Sequence, residues 1–161
     1  MKQVICNAGP LIALAGIGRL ELLRELFGEV WVAAEVRAEV EAGGGSGSGA
    51  GMFAATPWLR VADPAAGADP LLASLLDEGE AATIALAIRS STALVLMDEW
   101  KGRKIAREVY GLNVIGTGRL LVEAKRAFLI PEVRPLLERI RGNGYWLSDP
   151  ITAEILRQAG E

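Results

Sequence analysis

Asp98 and Glu99 close the apolar run Ala93-Leu94-Val95-Leu96-Met97, and the basic segment Lys101-Gly102-Arg103-Lys104 follows directly. A run this apolar, rich in Val and Leu, reads as a strand buried on both faces of a parallel sheet. Ligands of open α/β sheets bind beyond the carboxyl ends of such strands. Carboxylates placed there can hold a hard cation or a substrate. The first strand ends in a comparable way, with Val4-Ile5-Cys6-Asn7 running into the turn Ala8-Gly9-Pro10. Together the two strand ends predict an acidic, cation-holding cleft.

The absences narrow the chemistry. The chain has no histidine, which excludes Ser-His-Asp triads, Cys-His pairs and imidazole metal ligands. One cysteine, Cys6, excludes a disulfide framework and a Cys-rich zinc site. Polar catalysis near pH 7 is then left to carboxylates working with Mg²⁺ or Mn²⁺. A net charge of −3, from 17 basic and 20 acidic residues, neither advertises nor forbids a nucleic-acid partner. A local basic patch outweighs so mild a global charge. No apolar run reaches the roughly 18–20 residues of a membrane span, and the N-terminal strand is too short for a signal-peptide core, so a cytoplasmic protein is expected.

Each candidate has a plainer role to set against the chemical one. Asp98 suits the cap of the helix that follows it, and Glu99 could only complement that helix's dipole. Glu78 and Glu80 lie two apart and point to nearly opposite sides of a helix. Glu80 is favoured for the cleft because Gly79, Ala81 and Ala82 let a backbone pack closely beside it. Glu35 and Glu39 share a helical face and Arg37 can pair with Glu41 on the surface; by periodicity alone these glutamates read as solvated. Asn7 can cap a helix or lend one neutral oxygen to a cation. Lys101, Arg103, Lys104 and Arg107 suit either phosphate contact or a solvated helix face. Gly116-Thr117-Gly118 and Gly16-Ile17-Gly18 match no dinucleotide fingerprint, the first lacking the third glycine and the second following a helix.

Short apolar strands alternate with amphipathic helices, which predicts a single α/β domain over 1–161 with a mainly parallel sheet of four or five strands. Strands are expected at Gln3–Cys6, Glu29–Val32, Trp58–Val61 (an edge) and Leu94–Met97, and at Leu112–Ile115. Helices are expected at Pro10–Ala15, Leu20–Phe27, Ala33–Ala42 and Pro70–Ser90, the last broken near Gly79. Further helices are expected at Lys101–Val109, Thr117–Ala127, Pro131–Arg141 and Pro150–Ala159, with Ser148 or Asp149 capping the last. The Gly/Ser-rich stretch 43–51 reads as a flexible loop inserted within the domain.

Four segments together resemble the PIN-domain proteins, most closely an uncharacterised nucleic-acid-binding branch associated with toxin–antitoxin loci. They are Val4-Ile5-Cys6-Asn7-Ala8-Gly9-Pro10-Leu11-Ile12, the stretch from Leu76 to Ala87, the stretch from Met97 to Ala106, and Asn113-Val114-Ile115-Gly116-Thr117. The resemblance implies a three-layer α/β/α fold and a Mg²⁺- or Mn²⁺-dependent ribonuclease, with paired cations activating a water for in-line attack on phosphorus. It places the four acidic positions on Asn7, Glu39, Glu80 and Asp98, with Lys101, Arg103 or Lys104 contacting phosphate. It also implies a homodimer, an RNA substrate and a small antitoxin partner. Three departures stand out: Asn7 is an amide where an acid is usual, Gly9 replaces a common hydroxyl residue, and Ala33 replaces a common proline. The alternative is a catalytically silent PIN-fold module that binds RNA or a partner. A carboxylate-based phosphatase is disfavoured, because no aspartate follows the first strand to act as nucleophile.

Overall fold

A computed structural model describes residues 3–43, 49, 51–63, 69–91 and 94–161. In chain order the elements are β1 (Val4–Cys6), α1 (Ala8–Gly16), α2 (Glu21–Phe27), β2 (Val30–Val32), α3 (Ala34–Gly43), α4 (Met52–Ala55) and β3 (Leu59–Val61). They continue with α5 (Pro70–Leu75), α6 (Glu78–Arg89), β4 (Leu94–Leu96), α7 (Trp100–Glu108), β5 (Val114–Ile115), α8 (Thr117–Arg126), α9 (Arg134–Gly142) and α10 (Asp149–Gln158). The five strands form one parallel sheet in the order β3-β2-β1-β4-β5, flanked by helices as a three-layer α/β/α fold.

This order creates the site. The chain winds outward from β1 through β2 to β3, then returns to lay β4 against the other side of β1. The winding reverses between β1 and β4, and their carboxyl ends form the switch point at which sheets of this kind bind ligands in a crevice. Their register pairs Val4 with Leu94, Ile5 with Val95 and Cys6 with Leu96. The Asn7 N–H extends the ladder by donating to the Leu96 carbonyl at 2.9 Å. Ile5, Cys6, Val95, Leu96 and Met97 are all fully buried, as apolar strands covered on both faces require.

Local chemistry explains where the elements depart from periodicity. The break expected near Gly79 falls at Leu76–Asp77, because the Asp77 carboxylate accepts the Glu80 N–H at 2.8 Å and caps α6. Gly79 therefore sits inside the first turn of α6. The helix expected from Pro131 begins at Arg134, where the Glu161 carboxylate accepts the Val133 and Arg134 N–H groups at 2.7 and 3.0 Å. Ser148, not Asp149, caps α10, accepting the Ile151 N–H at 3.3 Å. The short helix α4 lies in a stretch too brief for helical periodicity to reveal. Most of the expected flexible loop at 43–51 lies outside the described residues. No helix among the described residues is long and apolar enough to cross a membrane.

α8 and α10 meet across Gly118, where a methyl group would overlap Ile155, whose Cγ1 lies 2.6 Å from the position a Cβ would take. Gly118→Ala should therefore cost about 1–3 kcal/mol through overpacking. Urea denaturation followed by circular dichroism reads it as a lower midpoint with an unchanged slope.

Candidate active site

Asp98 leaves the end of β4 with both carboxylate oxygens engaged. Oδ1 accepts the Thr117 backbone N–H at 2.6 Å, and Oδ2 accepts the Thr117 hydroxyl at 2.6 Å together with the Tyr145 hydroxyl. Thr117 is fully buried at the start of α8, so this anchor is rigid. Asp98 does not cap α7. Glu99 stands at that cap position and makes no side-chain capping bond, while Asp98 is turned inward by its donors. Thr117 likewise spends its hydroxyl on Asp98; Gly116 precedes it as the residue at the cap.

Tyr145 comes from the link between α9 and α10, and its approach depends on Gly9. A Cβ on Gly9 would stand 2.8 Å from the Tyr145 oxygen and 3.5 Å from Asp98 Oδ2. Burial, and then the negative charge of Asp98, push the Tyr145 phenol pKa well up, so it keeps its proton and acts as donor.

Asn7 is buried at the end of β1, its amide oxygen 3.2 Å from the Thr83 hydroxyl. That hydroxyl also lies 2.8 Å from the Gly79 carbonyl, and its one proton serves both acceptors. Glu80, one turn before Thr83 on α6, is only 8% exposed, with its carboxyl carbon 3.8 Å from the position a Cβ on Gly102 would take. Burial pushes the Glu80 carboxyl pKa up to about 7, helped by the charge of Asp77, a hydrogen bond to Asp77 and the charge of Glu99.

Glu39 takes a different place. Its Oε2 stands 2.5 Å from where a Gly79 Cβ would be, beside Asp77 at the start of α6. Partial burial and then the charge of Asp77 raise its carboxyl pKa. Glu35, Glu39, Asp77 and Glu78 line a shallow hollow there. Arg37 and Glu41 form the expected surface pair at 3.1 Å.

The basic segment divides. Lys101 is exposed, and Lys104 lies 5.0 Å above the Trp100 ring. Arg103 alone turns toward the carboxylate. A Cβ on Gly116 would be 2.8 Å from Asp98 Oδ1 and 3.2 Å from Arg103 Nη1, so guanidinium and carboxylate both flank Gly116.

Tyr145 and Thr83 escape sequence reasoning. Tyr145 meets Asp98 from 47 residues away, beyond any local pattern. Thr83 carries a faint signal, as the single hydroxyl in the apolar run of a buried helix face.

The donors at the crevice are all hard oxygens: the Asn7 amide and the Glu80 and Asp98 carboxylates. Among the described residues no three of His, Cys, Asp or Glu gather into a metal-binding group, so a cation here would depend on the Asn7 amide as well. Among the described residues Asp98 Oδ1 accepts one hydrogen bond, from the Thr117 N–H, and keeps a second lone pair. The set fits Mg²⁺ or Mn²⁺ in kind.

Fold and crevice together define a class: a doubly wound parallel α/β protein with carboxylate and amide oxygens at its switch point. The profile of a family described as PIN domain matches residues 3–161, and the chain belongs to that family. PIN domains are generally nucleases and typically use divalent metals. No curated protein and no solved structure matches the chain.

Proposed function

We propose that this protein is a metal-dependent endoribonuclease that hydrolyses RNA phosphodiesters. The observation that carries the reading is that Asn7 and Asp98 follow the carboxyl ends of the neighbouring strands β1 and β4 at the switch point, with Glu80 buried at the start of α6. Asn7, Glu80 and Asp98 would hold Mg²⁺ or Mn²⁺, with Glu39 as the fourth acidic position. When bound, the cation supplies an activated water and neutralises developing charge on phosphate. The chain's own residues do the rest. Thr117 and Tyr145 fix the Asp98 carboxylate, Thr83 orients the Asn7 oxygen, and Arg103 offers N–H donors to a phosphate oxygen beside Asp98. Lys101 and Lys104, exposed on the same helix, add longer-range attraction for the substrate.

On its family resemblance we place the protein as the cytoplasmic toxin of a toxin–antitoxin pair, a homodimer neutralised by a small antitoxin. Exposed Leu71, Leu75 and Ile88, near an apolar hollow of about 260 Å³ between α3, α5 and α6, are surface that such a partner would cover. Sedimentation should give a dimer. Induced expression should arrest growth, and Asp98→Asn should relieve the arrest.

The direct test is cleavage of labelled RNA with Mn²⁺, Mg²⁺ or EDTA, with Asn7→Asp alongside. Cleavage should require metal. Asn7→Asp should tighten Mn²⁺ binding about tenfold by adding a charge where only a dipole stood. Silence from both proteins would overturn the reading. Cleavage by Asn7→Asp alone would make the natural chain a silent binding module.

A further inference from the structure

A groove of about 510 Å³ runs along β5, the edge strand nearest Asp98, between α7 and α8. Arg103 and Arg107 line it from α7, and Arg119 from α8. Its one acidic residue, Glu123, is engaged by Arg119 at 2.8 Å and Arg126 at 2.9 Å, so its charge is already answered. The groove is thus a basic strip on a chain whose net charge is −3.

The arginines are held in place with donors to spare. Arg107 gives one N–H to the Val114 carbonyl at 2.6 Å, and Arg119 gives one to the Gln158 side chain at 3.0 Å besides its pairing with Glu123. A guanidinium carries five such donors. Arg103 is less settled: its Nε is buried without a hydrogen-bond partner among the described residues. Its pKa is lowered, first by burial and then by the charge of Arg107, with Asp98 opposing both. Two neighbouring guanidiniums, one half-buried, favour an anion between them.

We propose that this groove seats the phosphodiester backbone of a single-stranded RNA, with Arg107 and Arg119 on phosphates and Arg103 leading the strand to Asp98. The identity of the strand as RNA rests on the nuclease reading. Half-buried Phe27 at the rim offers an aromatic face on which a base can stack. Continuity decides for nucleic acid over an acidic peptide: Arg103 belongs to both groove and crevice, so a strand lying along β5 ends with a phosphate at the carboxylate.

The experiment is fluorescence anisotropy of a fluorescein-labelled 2′-O-methyl oligonucleotide in EDTA, where no cleavage can occur. Arg107→Gln and Arg119→Gln should each weaken binding about three- to tenfold. Each should also lower the slope of log K against log salt by about 0.7, the value for one phosphate contact on a single strand. Arg107→Lys should keep the slope, and far-UV circular dichroism checks that each variant is folded. Unchanged binding in the Arg107→Gln/Arg119→Gln double variant, no binding by wild type, or equal displacement by polyglutamate would each overturn the proposal. Cleavage in Mn²⁺ is read separately. Binding through the groove without cleavage sinks the nuclease and leaves the groove standing, whereas cleavage indifferent to the arginines does the reverse.

Discussion

Asp98→Asn should lower RNA cleavage on the order of 10³-fold or more, the scale of losing a central catalytic carboxylate. Two effects combine. The amide removes the one charge fixed at the end of β4, and with it most of the pull on a divalent cation. It also sets an NH₂ group among donors, because Asp98 takes N–H from Thr117 and hydroxyls from Thr117 and Tyr145. One of these donors loses its acceptor, which costs about 1–3 kcal/mol in a buried setting. The variant should therefore melt lower as well as fail to cut, and isothermal titration with Mn²⁺ should show the cation site lost. Tyr145→Phe separates the two effects. It leaves the charge but frees Oδ2 of its outer donor, and a loss of about 10–100-fold in metal affinity or activity is expected for such a supporting bond. Activity and Mn²⁺ affinity unchanged in Tyr145→Phe would show that Thr117 alone positions the carboxylate.

Without metal, stability should fall as pH rises from about 5 to 8, and Glu80 should be the cause. Its carboxyl pKa stands at about 7 in the folded protein, raised from 4.5. The folded state thus binds a proton that the unfolded chain has released across this window. By linkage the stabilising effect of that proton is complete below the unfolded pKa and is lost as pH climbs through 7. With screening by nearby solvent the loss is about 1–2 kcal/mol. Thermal melts in EDTA at pH 5 and pH 8 measure it, and Glu80→Gln should flatten the dependence by removing the titrating group. Mn²⁺ should restore more stability at pH 8 than at pH 5, since the cation competes with the proton for the same oxygens. A pH-independent melt of the wild-type protein would show that the Glu80 carboxyl holds its proton no more tightly in the folded protein than in the unfolded chain.

Much of this architecture is legible from local pattern. The apolar runs at Val4–Cys6 and Leu94–Met97 mark strands buried on both faces, and their terminal polar residues mark the crevice. Glu80 is legible too, since small residues around an acid at a helix start signal close packing. The limits are equally specific. Asp98 and Thr117 each suit a helix terminus, and nothing in their spacing tells that they bond to each other instead. Arg103 cannot be distinguished from Lys101 or Lys104 by charge pattern, because its inward turn depends on the room left by Gly116. Glu39 reads as equivalent to Glu80 only through family resemblance, and the fold sets it beside Asp77 and Gly79 at the start of α6.

The sequence by itself determined a parallel α/β domain and restricted its chemistry to oxygen ligands, because hydrophobic period and the absence of histidine are properties of the chain alone. Only the tertiary structure decided which oxygens meet. Strand order puts Asn7 beside Asp98, and the Gly9 gap admits Tyr145 from the far end of the chain. Such meetings depend on long-range packing, in which residues 47 or 76 positions apart share one hydrogen bond.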